Sequence, residues 1–254
     1  MSWSGFVKTV NRAGTTLMQK AGAIEKTVDK EFDDEEVRFK NLESKMERIH
    51  NETRGYLDAL TALSTAQLRT AEILSQFAGT ESELTPVATR YVEICTDIKD
   101  EVQSETVDTI KETILEPVGR VVACFPDIND AIKRRHKKVL DYDAARSKAM
   151  KMAGKPNADP ILQQKAEAIA QETQDVYESL NRQLVTEIPK LIESRVQLLD
   201  PCFEALVKTQ IQFSERSYNK LYSLQQNTYN EEGLDNEINA SLQRMSELSI
   251  SGLL

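Results

Sequence analysis

The residues best suited to chemistry are basic and crowded together. Within Ala131–Lys148, AIKRRHKKVLDYDAARSK, five of the first eight side chains are basic: Lys133, Arg134, Arg135, Lys137 and Lys138. The chain as a whole is acidic, with a formal net charge of −9. Cations gathered along one helical stretch repel one another unless an anion compensates them, so the expected chemistry is the binding of phosphate groups displayed on a surface. Between Lys133 and Lys155 nine basic residues stand against only Asp141 and Asp143, Lys151 and Lys155 closing the run. Nucleic acid is not the expected partner, because no aromatic residue except Tyr142 is interleaved to stack on bases and the rest of the chain is strongly acidic. An anionic lipid surface needs only the charge.

Catalysis has little support. The sequence has no glycine-rich phosphate loop, no Gly-x-Ser-x-Gly elbow and no His-Glu-x-x-His. Asp141 and Asp143 flank Tyr142, and carboxylates two apart on a helix point to different faces, which makes a poor acid–base couple. With His50 and His136 as the only histidines, and with Cys95, Cys124 and Cys202 widely spaced, neither a zinc site nor another cofactor is expected. The cysteines read as buried thiols in a reducing compartment.

Ser2–Ala23 has no acidic residue and carries Lys8, Arg12 and Lys20. Trp3, Phe6, Val7, Val10, Ala13, Gly14, Leu17 and Ala21 recur at steps of three and four, which places them on one helical face with the basic residues off it. That is the pattern of a helix lying in a membrane interface, with Trp3, Phe6 and Val10 as the inserting residues. Gly5, Gly14 and Gly22 weaken a free-standing helix, so folding on the bilayer is expected. The other reading is that this apolar face docks on the body of the protein.

These residues must be positioned by long helices, because Ala, Glu, Gln, Lys and Leu dominate and alternating strand patterns are hard to find. From about Glu25 to Phe77 no proline intervenes, and Phe39, Leu42, Met46, Ile49, Tyr56, Leu60 and Leu63 form a seam. The break GTESELTP (79–86) ends it. A second helix runs from Val87 through the basic stretch, bent at Pro117 and Pro126, to the turn GKPNADP (154–160). A third follows over Ile161–Tyr229 with bends at Pro189 and Pro201. After Gly233 a short amphipathic piece carries Leu234, Ile238, Leu242, Met245 and Leu248, expected to pack on the bundle or on a partner. Three long helices joined by short turns make an up–down–up rod with too much surface for its core, so a partner chain is expected to cover part of it. No apolar run is long enough to span a membrane and no secretory signal is evident, which leaves a cytosolic protein with peripheral membrane contact.

The stretch Lys133–Arg146, KRRHKKVLDYDAAR, resembles the second-helix motif of the amphiphysin-type N-BAR family. DKEFDDEEVRF (29–39), TILEPV (113–118) and EIPKLIESRV (187–196) resemble that family's first-helix start, mid-helix kink and third-helix region. SWSGFVKTVNRAG (2–14) is similar to the short fungal amphiphysin homologues of the starvation-viability group. The resemblance implies an all-α fold: an elongated, kinked three-helix antiparallel coiled coil that forms a crescent-shaped dimer. It implies an N-terminal amphipathic helix over 1–23, a BAR domain over 24–232 and a C-terminal amphipathic segment over 233–254. Carried over by motif, Lys133, Arg134, Arg135, Lys137 and Lys138 would contact lipid phosphates, with Lys151 and Lys155 at the tip. Amphiphysins usually carry a C-terminal SH3 domain, for which this chain has no room before Leu254, so proline-rich partners would be recruited by another subunit.

The expected function is non-enzymatic: a BAR homodimer, or a heterodimer with an SH3-bearing BAR protein, that binds negatively charged curved membrane in endocytosis, cortical actin organisation and cell polarity. Actin regulators are possible partners, at endocytic sites of the plasma membrane. With ~1 kcal/mol from each Lys or Arg near such a surface and about as much from each partly inserted apolar side chain, charge dominates recruitment. The rival expectation is a structural cytoskeletal coiled coil whose basic strip docks an acidic protein.

Overall fold

The structure of the chain, a computed structural model, describes residues 3–80, 82, 84–156, 159–224 and 231–248, without the side chains of residues 3–5 and 231–234. All regular structure among the described residues is helical. In chain order it comprises α1 (Trp3–Lys20), α2 (Lys30–Ala78), α3 (Thr85–Asp97), a π-helix π1 (Ile98–Gln103), α4 (Ser104–Ile110), a second π-helix π2 (Lys111–Leu115), α5 (Glu116–Val122), α6 (Phe125–Ala153), α7 (Pro160–Tyr222) and α8 (Glu231–Ser246).

The ends of these helices follow from local chemistry. Asp29 caps α2, its Oδ1 accepting the Phe32 N–H at 3.1 Å, and Asp159 does the same for α7 through the Ile161 N–H at 2.9 Å. Gly79, with φ +62°, takes the left-handed conformation that stops α2. The second long helix is more divided than its sequence suggests. Ile94, Ile98, Val102, Thr106, Ile110, Ile114 and Val118 are all buried at a constant step of four. An α-helix has 3.6 residues per turn, so each such step drifts by about 40° around its axis. The wider i→i+5 turns of π1 and π2 take up this drift and keep the row facing inward. Pro117 falls in the first turn after π2 and Pro126 in the first turn of α6, behind a true interruption at Ala123–Cys124. Pro189 and Pro201, by contrast, lie inside the unbroken α7.

The chain divides into two compact units, Met1–Thr53 with Ile114–Phe203, and Arg54–Thr113 with Glu204–Leu254. In the first, Phe32, Phe39, Met46, Val118, Phe125 and Ile132 form the core, with Phe39 and Phe125 packed edge to face at 5.7 Å. Gly119 belongs to this packing: a Cβ there would lie 3.2 Å from His50 Nε2. In the second unit the inward row of α3, π1 and α4 is buried, as are Leu57, Leu60 and Ala71 of α2, and Gln103 of π1 donates to the Thr61 hydroxyl of α2 at 3.1 Å. The buried line of α2 there runs through Leu57, Leu60 and Ser64, so Leu63 of the expected seam faces solvent.

Candidate functional site

The basic residues of α6 sort by helical angle. At about 100° per residue, Lys133, Lys137, Lys148 and Lys151 lie within about 60° of one another, flanked by Arg134 and Lys138. Lys133, Arg134, Lys137, Lys148 and Lys151 are exposed and Lys138 is half-buried. Lys133 makes a surface pair with Asp130 at 3.2 Å, worth little in water. Lys155, just past the helix end, is exposed as well. This face carries two groups of cations, Lys133–Lys138 and Lys148–Lys155, with Asp141 and its partner Arg12 between them, and it is backed on the other side of the helix by buried Ile132, Val139 and Asp143.

Arg135 corrects the expectation for the basic run. It lies on the inner face with Ile132 and Val139 and is only 4% exposed. Its Nε donates to Asn181 Oδ1 at 2.8 Å, its Nη2 to the Tyr177 hydroxyl at 3.2 Å and to Asp29 Oδ2 at 3.4 Å. The guanidinium stacks 3.8 Å from the centre of the Phe32 ring. A side chain held on all sides in this way joins the start of α2 and the middle of α6 to α7 and has no reach to a lipid phosphate. Burial works against ionisation of Asp29, but the Phe32 N–H, Asn181 and Arg135 outweigh it and hold the carboxyl below its usual value.

The N-terminal segment is also placed differently from the expectation. It is folded as α1 and seated on α6, and it docks by its polar side. Arg12 makes a bidentate pair with Asp141, at 2.8 and 2.7 Å. Gln19 Nε2 donates to Asp143 at 2.7 Å, and the Thr27 backbone N–H and hydroxyl donate to the same carboxylate. Asp143 is fully buried beneath these donors. Arg146 holds the following turn through the Glu25 carbonyl at 2.9 Å. Phe6 and Leu17, 56% and 68% exposed, project from the opposite side, and Val10, 54% exposed, stands at the rim of a groove between α1 and α6. The apolar stripe is therefore not the face that makes the anchoring contacts. The side chain of Trp3, the third expected inserting residue, lies outside the described residues.

The two aspartates point to different faces as expected, yet they act together, each gripping a different part of the same N-terminal segment. Sequence reasoning found the motif and missed this role. No local signal announces it, because Arg12 and Asp141 lie 129 residues apart in the chain.

The second unit carries an apolar surface of its own. Val207, Ile211, Tyr218 and Tyr222 repeat along α7 and are exposed, as are Leu63, Ile73, Leu74 and Phe77 of α2, Phe77 at 91%. A hollow of about 540 Å³ lies among Leu74, Phe77, Val87, Tyr91 and Leu224. Ile238, Leu242, Met245 and Leu248 on and after α8 are exposed too, and the side chain of Leu234 lies outside the described residues.

Among the described residues no three His, Cys, Asp or Glu side chains gather as a metal site, and no helix is long and apolar enough to cross a membrane. Cys95 and Cys202 are buried, and burial raises both thiols. Cys124 is exposed, against the expectation of three buried thiols, because it stands at the interruption before α6.

Comparison with known proteins agrees with this architecture. A family model described as BAR domain matches residues 6–230. The chain is 42% identical to Protein hob3 of Schizosaccharomyces pombe, covering 100% of itself and 98% of that protein. It is 35% identical to Reduced viability upon starvation protein 161 of Saccharomyces cerevisiae and 34% identical to Regulator of cytoskeleton and endocytosis RVS161 of Candida albicans, covering 100% of itself and 99% of each. Among solved structures, the amphiphysin BAR domain from Drosophila aligns with a TM-score of 0.65 at 20% identity, over 79% of this chain and 93% of that one, a likeness of fold. The chain belongs to the BAR domain family.

Proposed function

We propose that this chain dimerises through the apolar surface of its second unit and binds anionic, curved membrane through the outward basic face of α6. The observation that carries this reading is the sorting of α6: Lys133, Arg134, Lys137, Lys148 and Lys151 outward, Arg135 and Asp143 inward. Lys138 and Lys155 extend the strip at its flank and end. At ~1 kcal/mol per cation close to an anionic surface, it supplies several kcal/mol per subunit, and a dimer presents it twice. Phe6 and Val10, with Trp3 before them in sequence, form the apolar wedge of α1.

Family membership and the relative named as a regulator of cytoskeleton and endocytosis support a non-enzymatic role in endocytic membrane remodelling, cortical actin organisation and cell polarity. The partner subunit is a second copy or an SH3-bearing BAR relative, and actin regulators join through that partner. The site of action is the cytoplasmic face of the plasma membrane. A cytoskeletal rod docking an acidic protein is not favoured, since it gives no use to the outward apolar face of α1.

The test is charge reversal at Arg134, Lys137 and Lys138. Loss of about three attractive contacts per subunit weakens co-sedimentation with anionic vesicles on the order of 100-fold, with unchanged helicity. Unchanged binding would remove the basic face from the account. Arg135 is excluded from this variant, because its reversal would unfold the first unit rather than report on lipid.

A further inference from the structure

Beside the seat of α1 lies a groove of about 650 Å³, within the ~300–1,000 Å³ range of small-molecule sites. Val10, Met18 and Ile24 line its apolar side, and Lys148, Lys151 and Lys155 stand on the other. None of the ion pairs among the described residues uses any of these three lysines. The nearby carboxylates are already engaged: Asp141 by Arg12, and Asp143 by Gln19, Thr27 and Arg146. The groove thus presents uncompensated positive charge against an apolar wall. A ligand that satisfies both has an anionic head and a hydrocarbon tail.

The apolar wall comes largely from α1 and exists only because α1 is held polar side down. Asp143 accepts from the Gln19 amide, the Thr27 N–H and the Thr27 hydroxyl at once, using both carboxylate oxygens. An amide in its place has one acceptor oxygen and turns its own donors toward these donors.

We propose that this groove binds one anionic phospholipid, its phosphate on Lys148, Lys151 and Lys155 and its upper chain on Val10, Met18 and Ile24, and that Asp143 is the positioning residue that builds it. The site rests on the membrane-binding reading and adds to it a discrete lipid seat at the C-terminal end of the α6 strip. It places a lipid beside Val10 of the α1 wedge, so that the helix enters the bilayer already fixed to the body.

The experiment titrates the full chain with dihexanoyl-phosphatidylserine below its micelle concentration, followed by calorimetry, with dihexanoyl-phosphatidylcholine and inorganic phosphate as the other arms. Expected is saturable binding of the anionic lipid, at least tenfold tighter than either control. K148A/K151A/K155A should lose it. D143N should weaken it at least tenfold with unchanged helicity, and D143E, which restores both acceptor oxygens, should recover part of that loss, a rescue that general destabilisation would not give. Equal binding of phosphate would overturn the site, since the apolar wall would then contribute nothing, and undiminished lipid binding by D143N would overturn its positioning role. Absence of monomeric lipid binding with vesicle binding retained would refute the groove alone. Absence of both would remove the membrane reading on which it rests.

Discussion

Arg135 and Arg134 are neighbours in sequence and opposites in structure, and replacing each by Met separates the two kinds of cation in the basic run. Met keeps most of the buried volume of Arg135 but removes the hydrogen bonds to Asn181 and Tyr177, the pair with Asp29 and the stacking on Phe32. Removing one partner of a buried ion pair costs ~3–5 kcal/mol. Asp29 keeps a 19% exposed side chain and retains Asn181 and the Phe32 N–H, so the lower end applies, about 3 kcal/mol. With a urea dependence of ~1–3 kcal/mol/M, the midpoint should fall by about 1–3 M. Arg134→Met, at an exposed position, should move it by less than ~0.5 kcal/mol and instead weaken vesicle binding. The assay is urea unfolding followed by circular dichroism at fixed protein concentration, since dimerisation links stability to concentration. Equal midpoints for the two variants, with R135M weakening vesicle binding as much as R134M, would refute the reasoning.

The same cluster sets a pH dependence. Because the folded Asp29 carboxyl is held below its ordinary value of 3.8, its contribution is fully present above that value and is lost as pH falls through the depressed one. The gap between wild type and R135M should therefore narrow in that acid window, as read by midpoints measured across it. Ile211→Asp with Tyr218→Glu puts two charges into the apolar stripe of the second unit and should weaken self-association at least 100-fold, so sedimentation should give the monomer mass at micromolar concentration where wild type gives the dimer. A wild-type mass distribution would move the dimer surface elsewhere. Thiol labelling of the folded chain should modify Cys124 quickly and Cys95 and Cys202 only on unfolding, since the thiolate is the reactive form and both buried thiols are raised. Fast reaction at Cys95 would contradict the packing of the second unit.

The helices and their breaks were legible because they rest on local signals: the turn at 154–160, the break after Gly79 and the three–four spacing of Phe39, Leu42 and Met46. The π-helices had a signal as well, the four-residue step from Ile94 to Val118, which a 3.6-residue turn cannot hold in line. Arg135 could have been sorted from its neighbours, since it shares a helical face with Ile132, Val139 and Asp143. Reading the run as charge alone hid that. The seating of α1 was not legible, because Arg12 and Asp141 meet across 129 residues of chain and no local pattern pairs them. An amphipathic stripe says which face is apolar and not which face docks.

The central claim, a basic dimer that binds curved anionic membrane, is tested most directly by co-sedimentation of the purified chain with anionic and neutral vesicles of two diameters at low and moderate salt. The account expects binding that requires anionic lipid, falls steeply as salt screens the α6 strip, and favours the smaller vesicles. Binding equal on neutral and anionic vesicles, or none in any condition with an SH3-bearing BAR relative also present, would contradict it.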